Sequence, residues 1–222
     1  MDVRAAGRLR RLDAEPPRGH GGDHYLQYSQ APGLLVGNAF AQSLIGLDDF
    51  KRITGSSRAG LALERGLHQA RRSFRRFDTG AWSLYWHRPG SRHGNESDLH
   101  YHVLFLGFLE KLCPRFPSGP FCTLRDNFAR YETEPVKIGR LAARRRGRTL
   151  HIRYTVSKRG SGTLTLSKPG GHALHSVRLG LSRGSRLIVW DAPRRRGTYE
   201  LKLETESLNG LESSASKLVK LR

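Results

Sequence analysis

The sequence predicts a multi-domain α plus β protein, in which part of an (α/α) toroid-type helical array is followed by a seven-stranded antiparallel β-sandwich. Three observations carry that expectation. Apolar residues recur at three- and four-residue intervals between about residues 32 and 131, the spacing switches to alternation after Pro135, and positive charge concentrates beyond the same boundary. The organisation implied is an irregular segment over residues 1–24, a helical unit over 25–134 and a basic β-sandwich over 135–222.

In the first segment Pro16, Pro17 and the run GHGGD interrupt any period. From Pro32 to about Thr54, residues Leu34, Leu35, Val36, Phe40, Leu44, Ile45, Leu47 and Phe50 keep helical spacing, and Gly55 supplies a stop. A second helix starts after Ser56 or Ser57, either of which can accept from free backbone N–H groups. Leu63, Leu67, Ala70 and Phe74 form its apolar stripe. Arg65, Arg71, Arg72, Arg75 and Arg76 read as its solvated face. The run FDTGAWSLYWHRPGSRHGN is aromatic yet punctuated by Gly and Pro, so it reads as a loop or short hairpin, and long aromatic loops in compact domains are more often functional than connective. A third helix opens at Ser97 or Asp98, buries Leu99, Val103, Leu106, Leu109 and Leu112, and is expected to end before Pro114. A fourth covers about Phe121 to Tyr131. Two helix pairs joined by short turns cover each other's apolar faces, and four helices alone leave one flank uncovered.

After Pro135 the segments TLHIRYTV and GTLTLSK alternate apolar and polar residues, as half-buried strands do. The turns SKRGSG, SKPGG, LSRGS, PRRRG and SLNG divide the region into about seven strands, the pattern of an immunoglobulin-like or fibronectin-type sandwich. Tyr199, shortly after Gly197, stands where such folds place a corner tyrosine.

The formal charge is +20, from 39 Lys and Arg against 19 Asp and Glu. Residues 135–222 hold 20 and 5 of these, or +15, whereas residues 1–134 hold 19 and 14, or +5. A surplus of that size concentrates polyanions, which admits acidic polysaccharide, nucleic acid or an anionic membrane, unless the arginine content reflects the base composition of the gene. Nucleic acid is the weaker partner, because no helix-turn-helix, zinc-finger or RNA-stacking signature accompanies the charge. No run approaches the roughly 18 to 20 apolar residues that span a bilayer, and the polar N-terminus lacks the apolar core of a signal peptide. The chain is therefore expected either to be cytoplasmic or to lack its true beginning. Cys113 and Cys122 flank the turn CPRFPSGPFC, either as a disulfide or as free thiols, without the number or spacing of a zinc site. His87, His93, His100 and His102 are close in sequence, but an i, i+2 pair on a helix faces two directions, which argues against metal.

The segment YSQAPGLLVGNAFAQSLIGLDDFKRITG, then FDTGAWSLYWHRPG, then HYH before an apolar helix, resembles the C-terminal domain of the D-glucuronyl C5-epimerase family over about Tyr25 to Tyr131. That family inverts carbon 5 of glucuronate within a heparan-type polymer, so the resemblance implies an epimerase acting on heparosan-like or other uronate-containing polysaccharide without an organic cofactor. Its catalytic tyrosines fall on Tyr28, Tyr85 and Tyr101 and its substrate-carboxylate arginine on Arg88, while Asn38 and His102 match adjacent family positions. The expected roles are Tyr28 and Tyr101 as the proton-transfer pair, with Tyr85 and Arg88 holding the carboxylate. A free phenol has a pKa near 10, so a tyrosine base needs positive charge nearby, and a planar Arg fork suits an enolate developing beside a carboxylate. The pattern departs at two places. Gln27 stands where an acidic residue usually precedes the first tyrosine, and an amide can position substrate but cannot accept a proton at neutral pH; Phe105 replaces a histidine.

The resemblance also implies upstream β-rich and helical parts, so this chain would be the tail of a longer protein and could self-associate through its uncovered helical flank. Two other readings stand beside the epimerase. A polysaccharide lyase shares the first proton abstraction and then eliminates across carbons 4 and 5. A non-enzymatic protein would bind acidic polysaccharide through the β region.

Overall fold

The structure, a computed structural model, describes residues 23–90 and 94–221. The expected irregular segment therefore lies almost wholly outside the described residues, as does His93. Among the described residues are four α-helices and three antiparallel sheets, so the chain is mixed α and β.

The helical region opens with a two-residue strand, β1 (Leu35–Val36), and then α1 (Gly37–Thr54). The helix was expected from Pro32. It starts later because the apolar run Leu34–Val36 satisfies either period, and Leu35 and Val36 pair instead with His87 and Trp86 of β2 (Leu84–His87). Gly37 permits this close entry: a Cβ there would lie 2.6 Å from the Phe105 ring and 2.8 Å from that of Phe77. At the far end Gly55 adopts the left-handed conformation (φ 67°) and donates its N–H to the Lys51 carbonyl. The second helix, α2 (Ser57–Ser73), is capped by the Ser56 hydroxyl, which accepts from the Ala59 N–H, and buries Leu63, Leu67 and Ala70.

After a 3-10 turn at Phe74–Phe77, β2 pairs with β3 (Gly94–Glu96), so of the two expectations, loop or short hairpin, the segment forms the hairpin. The third helix, α3 (Leu99–Arg115), is capped by Asp98, whose carboxylate accepts from the Tyr101 N–H at 2.8 Å. Its buried stripe is His102, Phe105, Leu106, Leu109, Leu112 and Cys113. Val103, expected inside, is 48% exposed, because the face that meets the other helices is centred two positions on, at Phe105. The helix also runs through Pro114 rather than ending before it. The missing N–H falls in the last turn, where Phe116 still donates to the Leu112 carbonyl and Arg115 is held by Asp48 (2.9 Å) and Asp49 (2.5 Å) of α1. A disulfide joins Cys113 to Cys122 and so ties the end of α3 to the start of α4 (Phe121–Thr133). Phe40, Leu44, Leu67, Phe74, Phe77, Phe105, Phe121 and Phe128 belong to one apolar cluster among these elements.

The β region has seven strands among the described residues: β4 (Ile138–Arg146), β5 (Thr149–Val156), β6 (Gly160–Ser167), β7 (Ala173–Leu181), β8 (Gly184–Asp191), β9 (Gly197–Ser207) and β10 (Glu212–Leu221). One sheet has the order β4-β5-β8 and the other β10-β9-β6-β7. Alternation reads directly as burial: Leu150, Ile152, Tyr154 and Val156 of β5 share a core with Leu164, Leu166, Leu201 and Leu203, whereas Arg153 points to solvent. The corner expected at Tyr199 is formed, its hydroxyl donating to the Arg195 carbonyl at 2.6 Å.

The two regions meet at the C-terminal end of α4, where a helix leaves its last carbonyls without intrahelical partners. Lys158, in the turn after β5, is 2% exposed and donates to the Tyr131 carbonyl at 2.8 Å and to that of Glu134. The Asn209 amide donates to the Glu132 carbonyl, and the Ser213 hydroxyl to that of Val136 at 2.5 Å. A cation at a helix C-terminus also complements the helix dipole.

Candidate active site

Three tyrosines far apart in sequence come together. The hydroxyls of Tyr28 and Tyr85, 57 residues apart, lie within 3.1 Å, and the rings of Tyr85 and Tyr101 are 4.5 Å apart between centroids. Each arrives on a different element. Tyr28 sits in the irregular segment before β1, in a turn closed by the Ala31 N–H on its carbonyl. Tyr85 is the extra residue of a β-bulge, since Leu84 pairs with Glu96 while Trp86 pairs with Asn95. Such bulges re-aim a side chain relative to the regular pleat. Tyr101 lies in the first turn of α3, held there by the Asp98 cap.

All three are half-buried. The Tyr85 hydroxyl is pushed above the usual phenol range by burial first, then by its hydrogen bond with Tyr28 and by the neighbouring tyrosines. It therefore stays protonated at neutral pH, with its oxygen held beside that of Tyr28.

The other expected site residues divide. Gln27 and Arg88 are exposed, the first beside Tyr28 in sequence and the second just beyond β2, three residues after Tyr85. Asn38, in the first turn of α1, is buried with its side-chain oxygen unpartnered among the described residues. His102 is withdrawn from any ligand. It is 0% exposed, stacked on Trp82 at 3.6 Å, and bonded on both nitrogens, Nδ1 to the Ser83 hydroxyl (2.8 Å) and Nε2 to the Phe128 carbonyl (3.2 Å). A carbonyl can only accept, so Nε2 carries the hydrogen. Burial holds the ring neutral, its pKa lowered to about 4, and Nδ1 accepts from Ser83. His102 thus braces the hairpin against α4. Phe105 is likewise a core residue, 1% exposed.

Sequence reading missed part of this support. Trp82 donates its indole N–H to the Ser97 carbonyl at 3.0 Å, the Ser83 and Ser97 hydroxyls lie 2.9 Å apart, and the Lys158 ammonium is 4.7 Å from the Trp82 ring centroid. Lys158 resembled an ordinary turn residue, and nothing local marks its long-range role. Burial also drives down two further histidines. His24, packed on Phe40 at 4.1 Å, falls to about 3 through desolvation and then the charge of His87, and His87 is lowered mainly by desolvation. Neither ring has a hydrogen-bond partner among the described residues. Among those residues no three His, Cys, Asp or Glu side chains converge as a metal centre would require.

A family model described as D-glucuronyl C5-epimerase C-terminus matches residues 3–129. No curated protein matches the chain. Solved structures similar to part of it include a DUF3823 family protein from Bacteroides ovatus, at 12% identity and TM-score 0.32, covering 39% of this chain and 54% of that one. A Parabacteroides merdae β-glucuronidase is 12% identical with TM-score 0.32, covering 39% of this chain and 13% of that one. OgpA from Akkermansia muciniphila is 17% identical with TM-score 0.32, covering 38% and 27% respectively. The chain thus spans about half of the first of these proteins and far less of the others, and likenesses this distant bear on neither fold nor activity.

Proposed function

The chain belongs to the D-glucuronyl C5-epimerase C-terminus family, and from that premise we propose that it is an epimerase-type protein inverting carbon 5 of glucuronate in a heparosan- or heparan-like polysaccharide. The observation that carries the reading is the convergence of Tyr28, Tyr85 and Tyr101 from three separate elements.

In this reading one of Tyr28 and Tyr101, as phenolate, removes the carbon-5 proton. The electron pair delocalises into the adjacent carboxylate, and the other tyrosine returns a proton to the opposite face. Neither redox chemistry nor an organic cofactor is needed. Arg88, exposed at the end of β2, offers a planar two-pronged donor to the developing charge, and Tyr85, held protonated, fixes the Tyr28 hydroxyl. Gln27 positions a substrate hydroxyl where an acid would otherwise share the proton transfer.

The same proposal takes residues 25–134 as part of an (α/α) toroid-type array and 135–222 as an immunoglobulin-like sandwich. Exposed Phe50 and Ile53 on α1 and Leu61 on α2 support a flank that further helices, or a second copy, would cover. Strand order β4-β5-β8 against β10-β9-β6-β7, with the Tyr199 corner, supports the sandwich.

The test is deuterium incorporation at carbon 5 of heparosan in D2O, with the products followed for the ultraviolet absorbance that only elimination generates. Removing a positioned acid or base costs about 100- to 10,000-fold, so Tyr101→Phe is expected to lose exchange by that factor. Exchange that survives Tyr28→Phe together with Tyr101→Phe overturns the site. An absorbing product would replace epimerisation with lyase chemistry.

A further inference from the structure

Away from the tyrosines, the β region holds a cleft of about 510 Å³, within the range of about 300 to 1,000 Å³ typical of small-ligand sites. It opens at one end of the strands, where β6 leaves its sheet, β7 begins, and the loop from β8 turns into β9. Leu166 and Tyr199 form its buried floor, and Lys168, Arg194, Arg195 and Asp191 line it.

The cleft is built rather than incidental. The Lys168 ammonium lies 4.2 Å from the Tyr199 ring centroid and 3.3 Å from where a Cβ on Gly197 would stand, so the absence of a side chain at Gly197 (φ 146°) leaves room for it. Three bonds hold the loop that carries the arginines. Ala192 donates its N–H to the Arg148 carbonyl (2.7 Å), Arg145 donates to that of Pro193 (3.2 Å), and Tyr199 donates to that of Arg195. Both loop carbonyls are therefore occupied internally, and Arg194 and Arg195 are exposed residues lining the cleft. Among the described residues neither they nor Lys168 pairs with an acid within 4.0 Å, although Asp191 lines the same cleft.

Three cations against one carboxylate select an anion. The carboxylate in turn selects a ligand that also carries hydroxyl donors, since Asp191 can only accept. An anionic sugar ring has both, and its apolar face suits the Leu166 and Leu174 surface. A nucleic acid is the poorer fit. Base stacking needs a free aromatic face, but Tyr199 is buried beneath Lys168, and the half-buried Trp190 is met edge-on by His175 at 4.2 Å.

We propose that this cleft is a second saccharide site, which binds one acidic sugar unit of a polymer through its carboxylate or sulfate while the tyrosine cluster engages another part of the chain. The inference rests on the polysaccharide reading for its ligand class, but its residues are separate from those of catalysis.

The experiment is calorimetric binding of the full chain to four probes: a heparosan oligosaccharide, a heparin oligosaccharide, a neutral dextran oligosaccharide and a twelve-residue oligothymidylate. Heparosan tests carboxylate and heparin tests sulfate. Binding of either, with none of dextran, is expected. Arg194→Ala with Arg195→Ala should weaken it at least tenfold, as should Lys168→Met, while Lys220→Met, at an exposed position outside the cleft, should leave it unchanged. Wild-type affinity in both cleft variants overturns the site, and so does oligothymidylate binding that matches heparosan and falls with the same substitutions. Loss of binding in the cleft variants alongside absent deuterium exchange would retain the cleft and discard the epimerase reading. The double Arg variant lies on an exposed loop, so the result does not depend on how Lys168→Met folds.

Discussion

Lys158→Met removes the ammonium that closes the C-terminal end of α4 while keeping most of the side-chain volume. Two carbonyls, of Tyr131 and Glu134, lose their donor in a place where Lys158 itself is almost completely buried. An acceptor left unpaired away from water costs about 1 to 3 kcal/mol. Part of that is returned, because a buried cation no longer has to be desolvated; desolvation already draws the Lys158 pKa below the ordinary lysine range. The Asn209 bond to the Glu132 carbonyl remains. The net loss is therefore set at about 3 kcal/mol. With a urea slope of about 2 to 3 kcal/mol per molar, the unfolding midpoint should fall by roughly 1 to 1.5 M. Lys220→Met, at an exposed position, is the control and should stay within about 0.5 kcal/mol of the wild type. If the two substitutions give the same midpoint, α4 is not capped from the β region and the coupling between the two regions argued above is wrong.

Two further outcomes can be measured on the same chain. His102 is held neutral with a folded pKa of about 4 against about 6.5 unfolded, so the unfolded state binds the extra proton between those values, and stability should fall as pH drops below 6.5 and level off below 4. At pH 5 the loss relative to pH 8 is about 2 kcal/mol from this residue, with His24 acting in the same direction, and the unfolding free energy from urea titration should fall between pH 8 and pH 5 by about that much more in the wild type than in His102→Gln; parallel pH profiles would remove His102 as the cause. Reduction of the Cys113–Cys122 disulfide, or Cys113→Ser with Cys122→Ser, opens a short loop of sequence separation 9 and should lower stability by about 2.5 kcal/mol on the chain-entropy account, while an unchanged midpoint after complete thiol labelling would contradict it.

What could be read from the chain order alone was whatever depends on near neighbours. The pairs Ser56/Ser57 and Ser97/Asp98 announced their helices, because a cap acts on N–H groups three residues away, and the fold uses Ser56 and Asp98; Gly55 marked the end of α1 because only that position needs the left-handed conformation. Alternation placed β5, and the spacing from Gly197 placed the corner at Tyr199. The tyrosine trio was legible only through resemblance to a family, since nothing in the local pattern brings residues 28, 85 and 101 together. Other features were settled by surfaces remote in sequence. The Leu35–Val36 segment became strand because β2 offered unpaired backbone, and α3 continued through Pro114 because Asp48, Asp49 and the disulfide hold its last turn. The buried side of that helix fell on Phe105 rather than Val103 because of where its neighbours lie. The bulge that aims Tyr85, the internal role of His102 and the capping by Lys158 have the same origin. Caps and periodicities act within about one turn or one strand pair, whereas burial and hydrogen-bond satisfaction are set by whichever distant group arrives to complete them.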